Sequence, residues 1–250
     1  MFAGLMTLVT IANITPTPSA PMRYKIDVKS SQEMTMAGAK QSMDVTSSAW
    51  VTVTMVDSAS GQAARVMIDS MTLVPTGMMA QGLPPEAASE AKGATIDLYL
   101  MGGKVQGKPK MSVQNPAIML IFEGVNLLFA GNRAKLAVGD NWADTTRIDN
   151  TNDGGSQTGL VVTMWKVLSM DGDAYVLEGD ATATMNAEQG GGAVNIATKT
   201  TGKQTVTTTG KGLVRKANVE AKVDATIIVS QMPDPIPMLG TTTLTITALP

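Results

Sequence analysis

Residues 23–55 read RYKIDVKSSQEMTMAGAKQSMDVTSSAWVTVTM. Tyr24, Ile26, Val28, Met34 and Met36 fall on one side of an every-other-residue alternation, with Ser30 and Gln32 as polar exceptions. Arg23, Lys25, Asp27, Lys29, Ser31, Glu33 and Thr35 fall on the other. Period two is the mark of a strand with one buried and one polar face. Ala37-Gly38-Ala39 supplies a turn, and Met43, Val45, Ala49, Val51, Val53 and Met55 return in phase. The stretch is therefore expected to be a long hairpin. Its strands, at about 3.3 Å per residue, exceed the usual five or six residues.

The same signature extends outward. Ser60-Gly61 predicts a turn into a third strand over residues 65–74. Ala94 to Leu100 and Lys104 to Gln106 predict a hairpin turning on Gly102-Gly103. Trp142 to Ile148 and Leu160 to Leu168 are expected to pair across a polar loop, DNTNDGGSQ. Further strands are expected over residues 175–185, 193–209, 213–229 and 241–248. The segment MPDPIPMLG is expected to interrupt them as a proline-rich loop or edge.

The middle has a different texture. Pro84 to Lys92 predicts a short helix stopped by Gly93. NPAIMLIFEGVNLLFAGN, residues 115–132, predicts a longer one, with Asn115 as cap, Pro116 at the first helical position and Gly131 at the exit. Ile118, Ile121, Phe122, Val125, Leu128 and Phe129 share a face, and Met119, Leu120 and Leu127 make much of the rest apolar.

These elements together predict an α+β fold, mostly β. A long curved antiparallel sheet, half-barrel-like, carries a central helical insert packed on its concave face. The expected organisation is an export signal or N-terminal extension over residues 1–22 and a single β-rich domain over 23–250. Within it, a first meander covers 23–76, the helical insert 84–131 and a second meander 140–250. The apolar run from Phe2 to Ile14, followed by a Pro/Thr/Ser stretch, has the pattern of an export signal, with cleavage expected near Ala20.

Composition excludes much chemistry. The 250 residues include no cysteine and no histidine. That removes disulfides, thiol nucleophiles, imidazole bases and His- or Cys-based metal sites. Nineteen basic against 21 acidic residues, a net charge of -2, argue against a nucleic-acid partner. No stretch reaches about 18 uninterrupted apolar residues, so no transmembrane span is expected.

The 19 methionines raise the question of soft metals, because Met-x-Met at 34 and 36 has thioethers that suit Cu(I). Their phase with valine and isoleucine instead assigns them to the apolar face, where methionine is an adaptable filler. The loop from Asp149 is no EF-hand, since its twelfth position is Leu160 where a bidentate glutamate is required. Asp140/Asp144 and Asp171/Asp173 are explained by turns more simply than by acid–base catalysis. Gly190-Gly191-Gly192 lacks the Lys-Ser/Thr of a phosphate loop.

At Gly139-Asp140-Asn141-Trp142 the sequence resembles a family of secreted bacterial β-rich proteins. Their first strand carries a Tyr-Lys-Ile step, as Tyr24-Lys25-Ile26 does here, and a GD-x-W step leads into a second meander. It is also similar, more loosely, to LolA-type lipoprotein carriers and lipid-binding lipoproteins. That resemblance implies a half-barrel covered by helices that holds acyl chains, although no lipobox cysteine is present.

The functional expectation is an exported, non-catalytic envelope protein of the periplasm or extracellular space. It would bind a hydrophobic small molecule or lipid, or lipidated cargo, between sheet and helix. The expected ligand-contacting residues are Met34 and Met36 on the sheet and Met119, Phe122 and Leu128 on the helix. No catalytic residue, metal or cofactor is expected. The alternative is a structural or protein-interaction domain with a closed core. Its partners would be envelope proteins and its working surface the threonine-rich strands 198–209 and 241–247.

Overall fold

In a computed structural model, Tyr24, Ile26, Val28, Ala49, Val51 and Val53 are buried on one face, as the alternation requires. The structure describes residues 20–36, 38–58, 61–84, 86–101, 104–129, 136–152, 155–209 and 214–250. The strands are β1 (Met22–Met36), β2 (Ala39–Ser58), β3 (Gly61–Gly77), β4 (Thr95–Met101), β5 (Lys104–Met111), β6 (Asn141–Asn152), β7 (Gly155–Asp171), β8 (Ala174–Gln189), β9 (Val194–Thr209), β10 (Val214–Val229) and β11 (Ile236–Leu249). The helices are α1 (Met79–Gly82), α2 (Ala87–Glu90) and α3 (Pro116–Leu127).

The strands form one 11-stranded sheet in the order β5-β4-β3-β2-β1-β11-β10-β9-β8-β7-β6, with antiparallel pairing throughout. Two runs of sequential hairpins meet where the first strand pairs with the last. Ile26 lies opposite Ile246 and Met34 opposite Met238.

This corrects the expected α+β class. Strand makes up 73% of the chain and helix 10%, so the fold is nearly all β. Residues 84–131 are not a helical insert. β4 and β5 lie within that span and extend the sheet from β3. The alanine-rich stretch before Gly93 makes only one turn of helix, α2. Gly93 takes a positive φ of 79° and donates to the Ile68 carbonyl at 2.8 Å. The Ile68 amide in turn donates to Ala94 O at 2.9 Å. Gly93 ends the helix as expected, and sheet pairing takes up the chain from there.

α3 forms where its caps predict. Asn115 Oδ1 accepts from the Ala117 amide at 2.8 Å, and Pro116 occupies the first turn. Its Ile118, Ile121 and Val125 are fully buried, and it packs against β1, β2 and β11. Each such side chain stabilises the packing by about 1.5–3 kcal/mol relative to exposure. Gly131, its expected exit, lies outside the described residues, as do Phe2 to Ile14.

The segment read as a polar loop and the one read as a proline-rich loop or edge are in large part strand. β6 runs to Asn152 and β7 begins at Gly155, so most of DNTNDGGSQ is paired. β11 begins at Ile236, inside the proline-rich segment. Pro237 lies one residue beyond Met34–Met238, the last pair of the β1–β11 ladder, so its missing amide hydrogen breaks no pair of that ladder. The GD-x-W step has a local explanation. Gly139 takes φ 93°, Asp140 accepts from the Ala137 amide, and Trp142 stacks on Trp165 at 6.3 Å.

The apolar face is divided. The main core under α3 and the tryptophans is one cluster. A second cluster, built on Ile196, Ala225, Ile227, Ile236 and Met238, lies farther along the strands. Between them runs a row of small side chains in register across the sheet: Thr163, Ala181, Gly202, Ala221, Thr242 and Ser30. Thr242 Oγ1 donates to Ser30 Oγ at 3.3 Å within it.

Candidate functional site: an apolar cavity between sheet and helices

A cavity of about 670 Å³ lies over the second cluster. Its floor is the sheet, where the alternation of β1, β2, β9, β10 and β11 directs Met34, Met43, Ile196, Ile227, Ile236 and Met238 to one side. Its roof is Met79 of α1 with Met119, Leu120 and Phe122 of α3. Volumes of about 300–1,000 Å³ are those of small-molecule sites, and such sites are mostly apolar with a few polar groups. Here those polar groups are Ser30, Gln32, Gln81 and Glu123.

Three of the five expected contact residues meet at this cavity: Met34, Met119 and Phe122. Met119 is 52% exposed, a large apolar side chain at the rim. Met36 packs at the margin of the second cluster, beyond the cavity and opposite Ala39 at the hairpin turn. Leu128 lies in the main core at 1% exposure. Helical spacing accounts for this. Residues 121, 125 and 128 fall on the face turned to the sheet, and residues 119 and 122 on the flank that roofs the cavity.

Residues not anticipated are Met78 and Met79 at α1, and Ile236 and Met238 on β11. α1 is a four-residue helix, too short for any periodicity to show. Ile236 and Met238 do alternate, but the prolines around them disguise a strand. The cavity's methionines come from β1, β2, β11, α1 and α3. Unbranched thioether side chains repack at low cost, so such a wall adapts to the shape of what it holds.

Three of the four aspartates considered as catalytic pairs have structural partners. Asp144, buried on β6, accepts from Trp142 Nε1 at 3.1 Å. Asp140 caps the Ala137 amide, and Asp173 meets Arg215 at 3.4 Å. Among the described residues no cluster of three acidic side chains could hold a metal. Tyr24, Arg65 and Asp97 lie away from the cavity lining. Burial pushes the Tyr24 phenol up, and the Arg65 guanidinium, at 2.7 and 3.0 Å, holds the Asp97 carboxyl below the usual range.

No family model matches the chain, and no curated protein matches it. Among solved structures, the β domain of the Bordetella autotransporter Brka is 10% identical, with 92% of this chain and 100% of that one covered and a TM-score of 0.25. Pseudomonas aeruginosa OccK2 (OpdF) is 6% identical over 98% of this chain and 100% of its own, with a TM-score of 0.25. Pseudomonas aeruginosa OccK11 (OpdR) is 6% identical over 96% and 98%, with a TM-score of 0.19. Likenesses at these scores transfer no function.

The expectation of no transmembrane span is corrected here. It rested on helix length. Among the described residues no helix is long and apolar enough to cross a membrane, and that says nothing of strands. A bilayer is crossed by strands of about 9–11 residues. The strands of this chain run from 7 to 20 residues, most of them long enough for such a crossing, so an exclusion based on helices does not stand.

Proposed function

We propose that this chain is an exported, non-catalytic envelope protein that holds a hydrophobic ligand, a lipid or the acyl part of a lipidated cargo, between its sheet and α3. The carrying observation is the cavity of about 670 Å³ with a methionine- and isoleucine-rich wall. The apolar N-terminal run supports export, to the periplasm or beyond the cell. Each methylene buried there contributes about 0.8 kcal/mol, so a chain of ordinary length binds without a charged anchor. A domain acting only through its outer surface has no need of such a space, which favours this reading over the interaction domain.

The test is titration of purified protein with N-phenyl-1-naphthylamine, a neutral apolar probe that brightens on leaving water. Saturable brightening is expected, lost in Met238→Asp and Phe122→Asp variants whose circular dichroism is unchanged. A folded wild-type protein that gives no saturable signal overturns the reading.

A further inference from the structure

We propose that the cavity is also a modification site whose oxidation releases its ligand. A hydroperoxide converts the partly exposed methionines of the wall, Met34, Met43, Met78, Met79 and Met119, to sulfoxides, and the altered wall no longer favours an apolar chain. This proposal rests on the ligand reading above and adds its regulation.

The wall concentrates oxidisable sulfur. Among the described lining residues six are methionine: Met34 on β1, Met43 on β2, Met238 on β11, Met78 and Met79 at α1, and Met119 on α3. The chain has no cysteine, so no thiolate competes for a peroxide. Access grades the six. Met119 is exposed, Met34, Met43, Met78 and Met79 are half-buried, and Met238 is buried. A peroxide arriving from solvent therefore reaches Met119 first and Met238 last.

The step needs no other reactant. A sulfur lone pair forms the S–O bond as the O–O bond breaks. The departing hydroxide takes the proton of the transferred oxygen and leaves as water. Sulfur is oxidised and the peroxide is reduced. The product is a polar, chiral side chain with a strong acceptor oxygen. The side chains of Val45, Leu120, Ile196 and Ile227, which share the lining, hold no donor for it. An acyl chain laid against the sulfoxide strips its water without replacing it, and that weakens binding. In the empty cavity the sulfoxide stays wet, so the change falls on the bound state far more than on the fold.

The experiment treats the purified full chain with hydrogen peroxide and removes the excess with catalase. Peptide mass spectrometry then locates the sulfoxides, and N-phenyl-1-naphthylamine is titrated. Sulfoxide is expected first at Met119 and last at Met238. Probe affinity should fall about tenfold or more with circular dichroism unchanged. Methionine sulfoxide reductases for both epimers should restore it. Met67, Met164 and Met170, exposed and absent from the described lining, separate the cavity from general damage. Met67→Leu, Met164→Leu and Met170→Leu together should leave the loss in place. Met34→Leu, Met43→Leu, Met78→Leu, Met79→Leu and Met119→Leu together keep volume and apolar character, and should bind the probe within about twofold before and after peroxide. Should that set not fold, Met79→Leu with Met119→Leu, on the roof alone, should lose less affinity than the wild type. Complete oxidation of the five with affinity unchanged overturns this proposal and leaves the ligand reading intact. So does a leucine set at the cavity that loses as much affinity as the wild type, or a loss that comes with a lost fold. Untreated protein that gives no saturable signal overturns the reading beneath it.

Discussion

The Cα of Gly124 on α3 faces Ile26 on β1 so closely that an added Cβ would come within 2.5 Å of Ile26 Cγ2 and 3.4 Å of Leu244 Cδ1. Glycine inside a helix costs about 0.5–1 kcal/mol relative to alanine. Here it permits the helix to seat on the seam between the first and last strands. Gly124→Ala is therefore expected to destabilise by about 1–3 kcal/mol despite its better helix propensity. Urea unfolding measures this. Combined with Ile26→Ala, the two losses should sum to less than their separate values, because the methyl then fills space the isoleucine vacated.

Asn115 links α3 to α2. Its Oδ1 caps Ala117, and its Nδ2 donates to the Ala87 carbonyl at 2.9 Å. Asn115→Ala removes both, with an expected loss of about 1–2 kcal/mol. Asn115→Asp keeps the cap and places a carboxylate oxygen against the Ala87 carbonyl. Denaturant midpoints should show Asp recovering only part of the loss. Full recovery would assign the whole effect to the cap.

Gly179 on β8 lies under the Trp165 ring. A Cβ there would come within 2.9 Å of Trp165 Cε3 and Cζ3 and 2.8 Å of Gln204 Cγ. The indole is rigid and already stacked on Trp142. Gly179→Ala is expected to cost about 1–3 kcal/mol and to alter the near-ultraviolet circular dichroism of the tryptophan pair. An unchanged spectrum with unchanged stability would show that the ring is free to move.

Tyr24 gives a pH dependence. Burial raises its phenol above the ordinary value of about 10, so the unfolded chain ionises first as pH rises. Its contribution to stability is complete below about pH 10 and falls progressively above it. Tyr24→Phe should flatten this alkaline loss. On the acid side, Asp97 beside Arg65 is depressed, so its contribution holds above the usual carboxylate range and is lost as pH falls through its lowered value. Asp97→Asn should remove that small acid-side slope, screened as it is at an exposed pair.

For the cavity, lengthening a saturated ligand by two carbons should tighten binding about tenfold, following about 0.8 kcal/mol per methylene, until the space is filled. Competition across a series from ten to eighteen carbons reads this directly. A flat series would place the chain outside the cavity.

Much of this was legible in the alternation. Tyr24, Ile26 and Val28 bury as read, and Met34, Met119 and Phe122 meet at one cavity. The fold class was not legible: the β4–β5 hairpin shows in its alternation, but that β4 pairs with β3 and so joins the main sheet is decided by a long-range contact that local pattern does not carry. Leu128 was misassigned because apolar character alone does not say which flank of a helix turns to the sheet. The α1 methionines were invisible for want of length, and Ile236 because its neighbours are prolines that only an unpaired ladder end admits.

The pairing of β1 with β11 has a consequence for how the molecule is made. The first strand keeps half its ladder unfilled until the fourteen residues of β11, Ile236–Leu249, have been made. Loss of those residues, as by an early stop codon, would leave Met22–Met36 and Val214–Val229 as bare templates for other chains. Such a truncated product should collect in insoluble deposits.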